Sequence, residues 1–423
     1  MKTENSIRFK KQLFQIIYFR LDIYREETYN VVVNTLFSRR TAMKGMHMKN
    51  KSLTVFEAAC IITGYGIGSG VLAMPYIVSQ CGILLSAVIL LLAFVFSYIL
   101  HMMIADLAVK NGSKGQIVDI VMGYLPSGKS RGTVKTALFA VLALVLYTNL
   151  AVYIAGAAEI LQGTLGLPVW AGKLVFYVFA AFIAIFGIKI LGLCEKYAMY
   201  GIYAVVAALF IGSLFNIKNS ISLMPSSLTA LLSFFGVAMF AFVAFFSVPQ
   251  VVEGLGGNVK NIKKSILIGM SVNLLIMMLV ITGALLSSEE ITEVSMTGWS
   301  AGIGLWAKIV GSVFTLLAML TTYWSISVAL RDIVRDAIRL GDWLCFIIAS
   351  VPALLLAFLP SAGFLDFLEL AAGAIAILIA LFVIPVFHIS RKRGPSILGR
   401  ACTTPTEIIV FIAYILMAAG NLI

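Results

Sequence analysis

The residues able to make or break bonds are scattered along the chain. His47, His101 and His388 lie far apart, and no pair has the spacing of metal ligands. Cys60, Cys81, Cys194, Cys345 and Cys402 are odd in number, widely spaced and mostly inside apolar runs, with no Cys-x-x-Cys among them. They read as small hydrophobes. No Gly-x4-Gly-Lys-Ser/Thr loop is present to cradle a nucleotide, and no polar cluster suggests catalysis. The sequence does carry a backbone chemistry. Between Ile61 and Pro75 lie Gly64, Gly66, Gly68, Ser69 and Gly70, four glycines in seven residues, with Pro75 following. Each glycine costs a helix up to about 1 kcal/mol and a proline about 3 kcal/mol. The pattern predicts a local unwinding that frees N–H and C=O groups. The alternative is a small-residue seam, since Gly66 and Gly70 have Gly-xxx-Gly spacing. The freed N–H groups at a helix start suit a carboxylate, and freed carbonyls suit a cation.

The element that positions these groups is a membrane-spanning helix. Of 423 residues, 61% are hydrophobic and 12% charged, with a mean hydropathy of +1.02. Soluble domains have about 45–50% apolar and about 25% charged residues. A soluble globule this apolar could not cover its own surface. The composition therefore excludes a soluble enzyme, a disordered chain and a nucleic-acid-binding module. Eleven apolar runs read as α-helices, at about 53–80, 82–109, 134–163, 170–190, 194–216, 228–253, 264–287, 300–331, 342–359, 364–388 and 406–421. Their continuity and length fit helices and not a barrel.

The net charge of +12 sits between the runs, as in loops that meet anionic lipid. With the N-terminus inside, 28 of the 31 Lys and Arg fall on the inner side, leaving Lys173, Lys218 and Lys308 outside. This asymmetry predicts a multi-pass protein of the cell (inner) membrane with a cytoplasmic N-terminus and an external C-terminus. Three parts follow: a basic tail over 1–52, a core over 53–390, and a loop with the eleventh helix over 391–423. The tail is basic with apolar clusters and reads as an amphipathic surface helix. Alternatively, the physiological start is Met46 or Met48, just before the lead-in Lys49 to Ser52.

The sixth run holds a second candidate break. Met239 to Gln250 includes Phe240, Ala241, Phe242, Val243, Ala244, Phe245 and Phe246, with Pro249 near its end. A plain aromatic-rich helix is the rival reading. Its place in the chain favours a break. Runs one and six open two five-helix halves, about 53–216 and 228–390, and an odd helix number per half inverts their topology. Paired interrupted helices at matching positions of inverted halves mark a transporter site.

Gly68-Ser69-Gly70-Val71-Leu72-Ala73-Met74-Pro75 resembles the Gly-Ser-Gly element in the first helix of amino acid/polyamine/organocation superfamily transporters. Its surroundings are most similar to the amino acid/auxin permease branch. Phe240 to Val243, followed by Glu253-Gly254-Leu255, is similar to that branch's sixth helix, and Asn258 to Ile266 to the basic lead into its seventh. The resemblance covers about residues 50 to 420. It implies a LeuT-like fold, all α-helical, with helices one and six unwound at mid-membrane and substrate bound between helices 1, 3, 6, 8 and 10. It implies that Gly64, Gly66, Gly68, Ser69 and Gly70 meet the substrate carboxylate. It also implies that Phe240, Ala241, Phe242 and Ala244 receive the ammonium and shape the pocket. A sodium site at Gly64, Ile67, Thr321 and Thr322 is implied as well. Two positions depart from the family: Phe245 and Phe246 stand where members often carry His-Pro, and Gly64 stands where sodium-coupled members carry Asn.

The pocket segments hold no acidic or basic side chain, and a charged substrate side chain would need a partner. A neutral, hydrophobic or aromatic amino acid is expected. Tyr147, Asn149 and Tyr153 on the third helix could add a hydroxyl or amide. The coupling ion is open between sodium and proton, with exchange a further possibility, and no other cofactor is expected. Glu253, Asp366 and Glu369 are gate candidates. A membrane sensor that binds an amino acid without net transport is the alternative function. The sequence leaves the oligomeric state open.

Overall fold

A computed structural model describes residues 53–112, 116–124, 131–184, 188–219, 227–291, 295–338, 341–359 and 372–421. The expected tail, and the gate candidates Asp366 and Glu369, lie outside the described residues. The described residues form helices and turns, with no strand among them.

The first run is two helices, α1 (Val55–Gly66) and α2 (Ser69–Cys81). Thr54 starts α1 with a capping box: its hydroxyl accepts from Glu57 N–H, and the Glu57 carboxylate accepts from Thr54 N–H. That reciprocal pair satisfies two donors that a helix start would otherwise leave open. Gly82, at φ 73°, turns the chain into α3 (Ile83–Lys110). α4 (Ile117–Met122) is a short connector. α5 (Arg131–Leu165), α6 (Val169–Ala184) and α7 (Ile188–Leu214) complete the first half.

The sixth run is also two helices, α8 (Leu228–Ala241) and α9 (Val248–Gly254), joined through a 3-10 turn at Phe245–Ser247. α10 (Val259–Ser287) follows, capped by Asn258. α11 (Ser295–Ile303) and α12 (Leu305–Ile338) meet at Gly304, φ 138°. α13 (Asp342–Ala357), α14 (Ala372–Arg393) and α15 (Thr404–Gly420) close the chain. α14 contains a π turn at Ile379–Val383.

Each of the eleven expected runs contains a helix, with four differences. The fifth begins at Ile188, not 194, which takes Glu195 two turns inside α7. The seventh begins at Val259, five residues early, because the Asn258 cap sets its start. The eighth is split, because the left-handed backbone at Gly304 ends one helix and starts another. In the tenth, 364–371 lie outside the described residues. Among the described residues, seven helices are long and apolar enough to cross a membrane, and α1, α13, α15 and residues 169–182 are shorter apolar helices.

The buried centre consists of α1, α2, the α8–α9 pair, α10 and α12. α1 packs on α10 and α7, α2 on α8, and α12 on α5 and α7. α3 shows why the outer layer faces lipid. Leu84, Val88, Leu91, Leu92 and Val95 are exposed, whereas residues 100–108 are buried. An apolar exposed stripe of this kind is stable only against hydrocarbon.

Candidate functional site

The first break is two residues long. α1 ends at Gly66, Ile67 donates its N–H to Thr63 carbonyl, and α2 restarts after Gly68, which has no side-chain cap to offer. The first N–H groups of α2, at Ser69 and Gly70, therefore have no acceptor inside the helix. The four glycines serve close approach as well as unwinding, and each faces a different neighbour. A Cβ on Gly64 would lie 2.1 Å from Glu195 Oε2 of α7. One on Gly66 would lie 2.0 Å from Asn273 Nδ2 of α10. One on Gly68 would lie 2.6 Å from the Tyr153 hydroxyl of α5 and 2.9 Å from Thr322 Oγ1 of α12. One on Gly70 would lie 2.7 Å from Ala241 Cβ and 2.9 Å from its Cα. The unwinding and the small-residue seam are thus one structure.

The second break, at Phe242, Val243 and Ala244, is held by side chains from other helices. Asn273 Nδ2 donates to the Ala241 carbonyl at 3.2 Å. Ala244 N–H donates to His101 Nε2 of α3 at 3.2 Å. Val243 N–H returns to Phe240 carbonyl at 2.8 Å, and Ser247 N–H to Ala244 carbonyl at 3.0 Å. Buried backbone groups need partners, and here two of the four bonds come from outside the segment. Pro249 is not the cause of the break. It sits in the first turn of α9, where a missing N–H costs nothing.

The two breaks meet at Gly70 and Ala241 and border a cavity of about 20 Å³. Its wall is Tyr65, Gly66, Gly68 and Gly70 from the first break and Phe240, Ala241 and Val243 from the second. Asn149 and Tyr153 of α5, Thr322 and Ile326 of α12 and Ile375 of α14 complete it. That volume holds about one water, so an amino acid fits only when the walls part. A second, apolar cavity lies across Phe245 and Phe246, lined also by α4, α5 and α14. Ile375 borders both.

Gly66, Gly68, Gly70, Phe240 and Ala241 line the cavity as expected from sequence, and Ser69 opens α2 beside it. Others do not line it. Tyr147 turns its hydroxyl to the Ile348 carbonyl of α13, while Asn149 and Tyr153, two and six residues on, face the cavity instead. Phe242 packs edge-on against Phe94, ring centres 5.8 Å apart. Ala244 points its N–H at His101. Gly64 lies one turn back, and its carbonyl accepts from Thr321 and Thr322 hydroxyls at 3.3 and 3.1 Å. Both hydroxyls also reach the Ala318 carbonyl at 3.0 Å. Ile67 is buried outside the cavity wall. The carbonyls of Phe240, Ala241 and Ala244 each accept a hydrogen bond, and that of Val243, which borders the cavity, accepts none from the backbone of the described residues. Glu253 is half-buried at the end of α9, and the adjacent Gly254 carbonyl accepts from Leu53 N–H at 2.7 Å.

Sequence reasoning missed Glu195. Among the described residues five acidic side chains are buried: Glu57, Asp106, Glu195, Asp332 and Glu407. Glu57 pairs with Lys189, Asp106 with Lys110, Asp332 with Arg331 and Arg335, and Glu407 with His388 and Arg391. Glu195 alone of the five faces no cation among the described residues. Its Oε1 accepts from Ser325 of α12 at 2.9 Å, and its Oε2, against Gly64, has no hydrogen-bond partner. The signal was a single acid inside the run Ile188 to Met199, but a helix start at 194 put it in the first turn, at the membrane edge, instead of two turns inside. Asn273 and His101 gave no local signal, since what they hold is far away in sequence.

Comparison with known proteins gives the family and the fold. Residues 51–420 match the model of the tryptophan/tyrosine permease family. Glutamine transporter 2 of Aliivibrio fischeri is 22% identical over 354 residues, covering 78% of this chain and 87% of that protein. Tyrosine-specific transport system 1 of Haemophilus influenzae is 25% identical over 365 residues, covering 79% and 87%. Among solved structures, Mhp1, a nucleobase-cation-symport-1 family transporter in a closed conformation with bromovinylhydantoin bound, matches with TM-score 0.61 at 14% identity. That match covers 88% of this chain and 91% of Mhp1. A manganese transporter of Eremococcus coleocola matches with TM-score 0.62 at 13% identity, covering 87% and 85%. At these identities the structural matches carry the fold, which is LeuT-like.

Proposed function

The chain belongs to the tryptophan/tyrosine permease family, and on that premise we propose that it carries a neutral, hydrophobic or aromatic amino acid across the cell membrane by alternating access. It is a multi-pass amino acid permease and not an enzyme. The substrate carboxylate meets the N–H groups that open α2, and the ammonium meets the Val243 carbonyl. The side chain lies toward Phe240, Ile326 and Ile375. The single observation that carries this reading is the meeting of two broken helices, Gly70 on Ala241, at a cavity bordered by freed backbone groups. Among the described residues no acidic or basic side chain lines that cavity, which favours a neutral substrate because a buried charge needs a partner. Kinship with the amino acid/auxin permease branch is part of this proposal, supported by Gly68 to Pro75 and Phe240 to Val243.

The test is the melting point of detergent-purified protein with each of the twenty amino acids. A ligand that binds only the folded state raises it by mass action. Trp, Tyr, Phe or Leu should raise it, and Asp and Lys should not. No rise with any amino acid contradicts the reading. Uptake into sealed vesicles then separates a transporter from a sensor.

Transport is coupled to a cation, sodium or proton, and Glu195 takes up its charge. The support is Glu195's isolation: a carboxylate buried in a membrane interior without a counter-charge is costly and holds a proton or a cation. It touches Gly64 of the first break and Ser325 of α12, so its charge reaches both sides of the site. Gly64, Ile67, Thr321 and Thr322 are the oxygen ligands if the ion is sodium. The Glu195→Gln variant should still exchange labelled for unlabelled substrate but lose gradient-driven accumulation. The wild type's response to a sodium or a proton gradient identifies the ion. Full accumulation by Glu195→Gln would remove Glu195 from the coupling step. The N-terminus is cytoplasmic in this proposal, supported by the charge asymmetry, and Glu253, Asp366 and Glu369 are its gate residues.

A further inference from the structure

His101 sits inside α3 with no exposed surface, and nothing in the transport reading uses it. Both ring nitrogens are engaged. Nδ1 lies 2.6 Å from the Ser97 carbonyl one turn back. A carbonyl only accepts, so Nδ1 carries the hydrogen. That leaves Nε2 as a bare acceptor, and it points at Ala244 N–H, 3.2 Å away. The ring also stands edge-on to Phe245, centres 6.2 Å apart. The Ala244 N–H belongs to the second break, where no helical acceptor is available to it. It directly follows Val243, which borders the cavity.

We propose that His101 is a positioning residue of the substrate site: through Nε2 it holds the Ala244 N–H and so fixes the turn at Phe242 and Val243 that presents the Val243 carbonyl to the substrate ammonium. The proposal rests on the reading of the cavity as an amino acid site. His101 touches no substrate. It acts by keeping the break open in one shape. Without an acceptor for Ala244 N–H, the turn is driven either to rewind toward α8 or to seek water, and both move the Val243 carbonyl.

Two substitutions of similar size separate this role from simple packing. In His101→Gln the side-chain amide reaches the position of Nε2 and supplies an acceptor for Ala244 N–H. In His101→Asn the shorter amide reaches only the position of Nδ1, which serves Ser97 and leaves Ala244 unpaired. The probe is the amino acid that most raises the wild-type melting point. His101→Gln should bind it within about threefold of wild type, and His101→Asn should lose about tenfold or more, the range expected for a buried N–H left unsatisfied. Hydrogen exchange at the Ala244 amide, measured without substrate, should be faster in His101→Asn than in His101→Gln. Equal affinities and equal exchange in the two variants would overturn the proposal. If neither variant folds, the 15N spectrum of histidine-labelled wild type decides. One imidazole locked with hydrogen on Nδ1 supports it, and hydrogen on Nε2 at that residue overturns it. The exchange and tautomer measurements need no ligand, so failure of the transport reading would show as wild type binding no amino acid, with these two results unaffected.

Discussion

The first break is built from its own residues, and the second is built from elsewhere. In the first, glycines remove side chains where five helices press in, so Glu195, Asn273, Tyr153 with Thr322, and Ala241 each approach the backbone closely. In the second there is no glycine between Gly236 and Gly254. Bulky residues unwind there because Asn273 and His101 supply the hydrogen bonds that a helix would have supplied. A backbone break in a membrane needs its polar groups satisfied, and these are two ways to meet that need. One is written in a short stretch of chain, and the other in pairings across 32 and 143 positions.

The difference predicts how each break fails. The largest effect is expected at the first, where there is no room to adjust. Gly70→Val places a side chain into the Ala241 backbone, and substrate affinity should fall by about a hundredfold or more, since overpacking here displaces main chain and not a flexible tip. Equilibrium binding checks it, with membrane insertion as the control. A smaller loss is expected at the second break. Asn273→Leu leaves the Ala241 carbonyl without its side-chain donor and should lower stability by about 1–3 kcal/mol, with about a tenfold loss of affinity. Denaturation and binding measured together check that both fall.

Tyr147 sharpens the comparison from outside both breaks. Tyr147→Phe loses only the bond to the Ile348 carbonyl, which should cost about 1 kcal/mol of stability and leave affinity unchanged. A loss of affinity would return Tyr147 to the site. The smallest effect belongs to Lys218 and Glu289, an exposed pair 3.0 Å apart. The hydrogen bond from Lys218 holds the Glu289 carboxyl below the usual carboxylate range. The lowered value means that any stabilisation is present above the ordinary carboxylate pKa and is lost as pH falls through the lowered one. Lys218→Met should therefore differ slightly in melting point near neutral pH, and the gap should close in acid. Binding should not change.

The unequal construction also explains what was legible in the sequence. The helical membrane architecture could be read because apolar runs and Lys/Arg placement are local properties. So could the first break, because its glycines are contiguous. Gly66, Gly68, Gly70, Phe240 and Ala241 come together at one cavity because they belong to the two short stretches that break. Of the three third-helix candidates, Asn149 and Tyr153 face the cavity and Tyr147 does not, because which face of a helix meets a given neighbour is set by packing and not by the local sequence. Glu195 was lost to a helix start placed six residues late. The partners of the second break could not be read at all, since nothing near His101 or Asn273 says which backbone group each will meet.

The central claim is that substrate lies between the two breaks, and cysteine alkylation tests it most directly. In a background with its own five cysteines replaced, cysteine is placed at Phe240, which borders the cavity, or at Phe242, which packs on Phe94 two residues away. The account predicts that a bound amino acid slows alkylation of Phe240→Cys and leaves Phe242→Cys unchanged. Equal protection at both, or at neither while binding is saturated, would contradict it.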